Sequence, residues 1–190
     1  MEIVERLQIN RFIKIIIISL LGTLLLTISA KVKIPFFPVP MTMQTFVVLL
    51  IGITLGSKVG LFTISLYLLE GIFGLPVFAN SPEKGIGLVY FTGPTMGYLI
   101  GFLFAAYIAG SFKYYDIFQD KFFNFFKNYL KLLIAVFFIY FIGLIWLGFL
   151  IGWNKPIFQI GAEPFLLAES FKIFLLAIIA GKLSNLRKFI

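Results

Sequence analysis

The chain contains no cysteine and no histidine, and only eight of its 190 residues are acidic. Without cysteine there is no disulfide, no thiolate metal site and no thiol nucleophile, and without histidine the commonest general base and metal ligand is missing. No Asp-rich metal motif and no serine beside a base stand in for them. The glycine strings "GIFG" and "GIG" lack the strand, the helix start and the lysine of a phosphate-binding loop. The chain therefore cannot hydrolyse ATP by itself, and a catalytic site and a metal site are both expected to be absent.

What the chain has is apolar surface. Hydrophobic residues make up 61% of it and charged residues 13%, against roughly 45–50% and about 25% in ordinary soluble domains. A spanning helix needs about 20 apolar residues, so about six spans use up most of the length. The expected fold is an all-α integral membrane protein, one transmembrane domain over 1–190. Its helices are expected at about 12–30, 42–56, 58–74, 95–111, 132–151 and 164–181. The first run follows a basic start like that of a signal peptide, but it is too long for a signal core and reads as a retained helix. The net charge of +8 does not indicate nucleic acid, because the basic residues sit at the ends of apolar runs and not on one soluble face.

The connections are distinctive. "KVKIPFFPVPMT" stops the first helix with three prolines in six residues, and Ser57 and Lys58 read as a tight turn between the second and third. "LPVFANSPEKGIGLVYFTGP", residues 75–94, is rich in turn formers yet carries Phe78, Tyr90 and Phe91, which suits a lid. Gly97, Gly101, Ala105 and Ala109 form a four-residue ladder that lets another backbone approach closely and puts that helix in the middle of a bundle. Such ladders serve self-association as well as internal packing. "SFKYYDIFQDKFFNFFKNYLK" reads as an amphipathic helix lying in the membrane interface before 132–151.

Orientation follows from the basic residues. With a cytoplasmic N-terminus, that side holds Arg6, Arg11, Lys14, Lys58, Lys113, Lys121, Lys127, Lys131, Lys182, Arg187 and Lys188, and the outside holds Lys31, Lys33, Lys84 and Lys155. Eleven against four puts both termini in the cytoplasm and the two unusual loops outside.

Within "PFLLAESFKIFLLAIIAGKL", residues 164–183, Glu169 and Lys172 lie one turn apart on one helix face. They sit roughly 7 to 12 Å below the helix start, in the outer half of the membrane. Ionisable groups at that depth normally face the bundle interior, paired or lining a cavity. Two readings fit: a structural ion pair, or a carboxylate acceptor and an ammonium donor lining a ligand pocket. Gln44, Asn80, Tyr90 and Tyr98 fall at the same level, and this convergence favours a pocket for a small, partly apolar solute with polar ends. Glu70 also lies toward the outer side, as a second pocket group, a partner of Lys31 or Lys33, or an interfacial residue. With two acids in the spans and no evident inverted repeat there is no coupling-ion relay, so uphill transport needs energy from a partner.

The strings "IPFFPVPMTMQTF" (34–46), "YLLEGIFGLPVFAN" (67–80), "GPTMGYLIGF" (93–102) and "PFLLAESFK" (164–172) resemble, in order and spacing, the BioY family of biotin-specific S components of energy-coupling factor (ECF) transporters. The likeness runs from about residue 20 to 182. It implies a six-helix S-component fold in a prokaryotic cell membrane, binding biotin near the outer face under its two outer loops and needing no cofactor. It also implies partners: a transmembrane T component and two cytoplasmic ATPases. The family's polar pocket groups correspond to Asn80 and to the helix-6 pair, where an Asp-x-x-Lys pattern is replaced by Glu169-x-x-Lys172. On this likeness Glu169 accepts from a ureido N–H of biotin and Lys172 donates to the ureido oxygen or the carboxylate. The family's Ala-x-x-x-Ala docking face for the T component corresponds to Ser19, Thr23 and Thr27. The other readings are an S component for a different vitamin, an intramembrane enzyme using Glu169 as a base, and a purely structural subunit.

Overall fold

Glycine 56 organises the middle of the chain. In the computed structural model, which describes residues 2–34, 37–117 and 121–189 and the side chains from residue 10 onward except Lys121, a helix runs over Gln44–Ile72 but is broken at Gly56, where φ is 79° and ψ 176°. That backbone region is open to glycine and strained for other residues. The two limbs fold back side by side. Gln44 donates a 2.8 Å hydrogen bond from Nε2 to the Tyr67 hydroxyl, and a Cβ added at Gly60 would sit 3.4 Å from the Cα of Gly52. The expected helices at 42–56 and 58–74 are thus the limbs of one hairpin. Its reversal falls at Gly56, and Ser57 and Lys58 are helical.

In chain order, α1 is Glu2–Lys31, α2 is the broken helix Gln44–Ile72, α3 is Met96–Ser111, α4 is Lys121–Ile151, α5 is Ile157–Gly161 and α6 is Leu166–Ser184. Between α1 and α2 a two-residue ladder pairs β1 (Lys33–Ile34) with β2 (Met41–Thr42), Lys33 opposite Thr42. Short 3-10 turns cover Gly87–Thr92, Glu163–Phe165 and Asn185–Phe189. Pro35 and Phe36 of the expected proline-rich loop, 118–120 of the expected linker, and the side chains of Arg6 and Lys121 lie outside the described residues.

The small-residue ladder is where close packing occurs. A Cβ at Gly101 would lie 2.7 Å from the Cα of Ile139 on α4, and Ala105 and Ala109 are fully buried. On the other side, a Cβ at Gly52 would lie 2.6 Å from the Ala106 carbonyl oxygen. So α3 sits between α2 and α4, the central place its sequence implies.

One expected element is absent in the form anticipated. The segment leading to residue 132 is not a separate interfacial helix: 121–151 is one continuous helix. No glycine or proline interrupts it before Gly143, and Asn128, fully buried, ties it to the preceding loop and to α6 through bonds to Tyr115 and the Ala177 carbonyl. At about 1.5 Å per residue its length exceeds the ~30 Å hydrocarbon thickness. Lys127, over the Phe123 and Tyr115 rings at 4.0 and 5.2 Å, belongs to the overhanging end.

Among the described residues four helical stretches are long and apolar enough to cross a membrane, Asn10–Lys31, Gln44–Ile72, Phe122–Ile151 and Ile157–Phe189, and Met96–Ser111 is a shorter apolar helix. Their outward faces carry Leu21, Leu24, Phe137, Phe141, Phe171 and Phe174, all exposed. Such a surface suits lipid and not water.

The tightest approach of backbone to backbone gives a test. A Cβ at Gly110 would meet backbone atoms of Ser57 and Gly56 at 2.3–2.5 Å. We expect Gly110→Ala to destabilise the protein by about 1–3 kcal/mol, read as a lower melting temperature in detergent. Unchanged melting would show that the hairpin turn yields freely.

Candidate binding cleft

Burying a carboxylate without partners costs several kcal/mol, so the surroundings of Glu169 show how the sequence meets that cost. Glu169 and Lys172 are 4% and 5% exposed, and their charged atoms are 2.7 Å apart. Thr45, on the first turn of α2, donates from Oγ1 to Glu169 Oε1 at 2.9 Å and accepts from Lys172 Nζ at 2.9 Å. Lys172 also donates to the Thr42 carbonyl oxygen at 2.6 Å. An ammonium has three N–H groups, and here they are taken by Thr42, Thr45 and Glu169. Glu169 is not so complete. Its Oε2 is buried and makes no hydrogen bond of ordinary geometry among the described residues, and the Tyr140 hydroxyl is the neighbour that comes near the carboxylate.

Glu169 lines a narrow cleft of about 50 Å³ whose walls come from β2, the starts of α2, α3 and α6, the 77–95 loop and the middle of α4. Among its described lining residues Glu169 is the one charged group, and the others include Gln44, Thr45, Tyr90, Tyr98, Tyr140 and Phe165. A water needs roughly 10–15 Å³ measured this way, so the cleft has room for a few waters. A larger solute must push a wall outward, and the non-helical walls give way most readily.

The expected site residues divide into three groups. Gln44, Tyr90, Tyr98 and Glu169 meet at the cleft. Gln44 donates to Tyr67, which donates on to the Val77 carbonyl at 2.9 Å, joining the start of α2 to the aromatic loop. Tyr90 stacks on Phe78 with centroids 4.7 Å apart, and burial raises its hydroxyl pKa above the ordinary value, so it stays neutral. Tyr98 donates to the Gly161 carbonyl at 2.8 Å and meets Tyr140 edge-on. Asn80 lies next door, in a smaller cavity that shares Tyr90 and Thr95 with the cleft. Its Oδ1 accepts from Lys33 at 3.3 Å. Lys172 stands behind Glu169, facing a groove beside Val32–Ile34 and not the cleft itself.

On α1 the residues expected to dock a T component turn mostly inward. Ser19 and Thr23 are buried, Ser19 accepting from Thr63 at 3.1 Å and Thr23 donating to Glu70 at 2.8 Å, and Thr27 is half-buried. Ser19 and Thr23 face α2, and Thr27 bonds back to the Thr23 carbonyl on its own helix. Glu70 is likewise held by Thr23, while Lys31 and Lys33 donate to the carbonyls of Phe78, Ala79 and Ser81 in the aromatic loop. Sequence reasoning missed Thr45 and Tyr140. Thr45 adjoins Gln44 within the quoted "PMTMQTF" string, and that was the available signal.

These features define a multi-pass helical membrane protein with a polar-ended, aromatic cleft at one end of the bundle. The BioY family model matches residues 4–189, and the chain belongs to the BioY family. It is similar to the probable biotin transporter BioY of Pyrococcus horikoshii, 35% identical over 161 residues, 85% of this chain and 90% of that protein. It is also similar to the biotin transporter BioY of Thermotoga maritima, 34% identical over 164 residues, 86% and 92% of the two chains. A crystal structure of the S component for biotin from an ECF-type ABC transporter superposes with a TM-score of 0.72 at 27% identity, covering 93% of each chain.

Thr45 bridges both charges, so its hydroxyl should matter more than its methyl. Thr45→Val is expected to cost about 1–3 kcal/mol, the scale of a buried group left unsatisfied, and Thr45→Ser to be near neutral. Equal melting temperatures for both variants would remove the bridge from the account.

Proposed function

We infer that this chain is the substrate-capturing S component of an ATP-driven, ECF-type biotin uptake system, and that biotin binds in the cleft lined by Glu169. One observation carries the placement: the buried carboxylate oxygen Oε2 has no partner in a cleft otherwise walled by aromatic and neutral polar groups. A cyclic urea offers two N–H donors, and one of them satisfies that oxygen. The apolar rings of biotin suit Tyr98, Phe102 and Phe165, and its valerate tail extends toward the outer loops. Lys172 acts by pairing with Glu169 and orienting it. Asn80 and Tyr90 act as the loop closes over the solute, and Gln44 by fixing the start of α2.

The remaining features form one proposal. The two limbs of α2, with α1, α3, α4 and α6, give six crossings, and the basic-residue asymmetry puts both termini in the cytoplasm of a prokaryotic cell. Binding and release require no catalytic group and no cofactor from this chain. Energy comes from a transmembrane T component and two ATPases.

The test is equilibrium binding of biotin to the detergent-solubilised protein beside Glu169→Gln and Lys172→Ala. Losing a charged hydrogen-bond partner costs about 1.5–3 kcal/mol, so each variant should bind roughly 10- to 100-fold more weakly. A similar-sized acid without the urea should not bind. Tight binding that neither substitution changes would make the pair structural, and failure of biotin with capture of another vitamin would reassign the substrate.

A further inference from the structure

At the end of the bundle opposite the cleft, one side chain gathers the ends of two helices. Arg187 lies in the 3-10 turn Asn185–Phe189 that follows α6. Its Nε donates to the Ile53 carbonyl at 2.7 Å, its Nη1 to Phe112 at 3.0 Å, and its Nη2 reaches the carbonyls of Gly52 and Ala109 at 3.4 and 3.5 Å. These carbonyls have a common origin. Gly52 and Ile53 are in the last turn before the break at Gly56, and Ala109 and Phe112 are at the end of α3. The last four carbonyls of a helix have no partner inside it, and that end of the helix dipole is negative. A planar guanidinium with five donors can serve two such ends at once. Tyr114 completes the site, its ring 5.9 Å from the guanidinium and its hydroxyl donating to Ala109 at 2.9 Å.

The three elements joined here all contribute walls to the cleft. The first limb of α2 begins with Gln44 and Thr45, α3 carries Tyr98, and α6 carries Glu169 and Lys172. From Thr45 to Ile53 is roughly 12 Å of helix, and from Tyr98 to Ala109 roughly 16 Å. Helices of that length behave as rods, and the backbone contact between Gly52 and Ala106 lies close to their Arg187 ends. A small change of angle there is therefore carried along the longer arms to the cleft end. We propose that Arg187 is a positioning residue for ligand binding: it fixes the angles among α2, α3 and α6 and so holds Thr45, Tyr98 and Glu169 in register from the far side of the bundle. By linkage, anything that draws the guanidinium off these carbonyls, such as a carboxylate on a protein partner, lowers affinity at the cleft.

This rests on the cleft being the biotin site, and the experiment separates the two ideas. Biotin affinity, dissociation rate and melting temperature are measured in detergent for the wild type, Arg187→Lys, Arg187→Ala, Glu169→Gln and the Arg187→Ala/Glu169→Gln double variant. Arg187→Ala should bind at least about tenfold more weakly and release faster. Arg187→Lys should be intermediate, since one ammonium cannot serve both helix ends. Separate sites more than 7–10 Å apart normally act additively, but here the double variant should lose less than the product of the single losses, because the clamp acts through the group already removed. A lower melting temperature with unchanged affinity and release in Arg187→Ala would overturn the proposal. Should Arg187→Ala not fold, wild-type affinity and release in Arg187→Lys would overturn it equally. A wild type that does not bind biotin would instead overturn the assignment of the cleft.

Discussion

The cost of burying one carboxylate inside a lipid-facing bundle shapes the cleft end of this protein. Glu169 can be buried because Lys172 is one turn away, and Lys172 can be buried because the Thr42 carbonyl and the Thr45 hydroxyl take its other two N–H groups. Those partners are on β2 and the first turn of α2, so satisfying the charges fixes the entry to α2 against α6. The β1–β2 ladder, the start of the hairpin and the mouth of the cleft then follow in place. Among the described residues the one buried side-chain oxygen or nitrogen without a hydrogen-bond partner is Glu169 Oε2, on a residue that lines the cleft.

The loop above is held differently. Lys31 and Lys33, at the end of α1 and on β1, donate to backbone carbonyls of Phe78, Ala79 and Ser81. Phe78 lies beneath, packed against Tyr67, Tyr90 and Phe91. The polar side of this latch uses backbone acceptors that water can satisfy as well. The aromatic side has no such substitute, so the rings set the preference for closure and the lysines set its alignment.

Much of this was legible in the sequence. Two ionisable residues one turn apart in an apolar run point inward because lipid tolerates them nowhere else, and a ladder of Gly and Ala points to close packing for the same kind of reason. Thr45 was not legible. A hydroxyl in an apolar helix usually bonds its own backbone one turn back, as Thr54 and Ser65 do here, and nothing local separates a bridging threonine from those. The inward turn of Ser19 and Thr23 was hidden because α1 is apolar on every side, so its pattern gives no direction. The start of α4 was misread because lysines and aromatics in alternation suit both an interfacial helix and the overhanging end of a long one.

The same inward turn of α1 has a consequence for assembly. Ser19 and Thr23 are spent on α2, through Ser19–Thr63 and Thr23–Glu70, and the side the helix shows outward over 17–28 is leucine and isoleucine. A protein partner covering that side would displace hydrocarbon and not water, so area burial would bring almost no solvophobic gain. Selectivity on that face would have to come from the fit of branched side chains into a matching relief, and exchange between lipid and protein neighbours would be nearly isoenergetic.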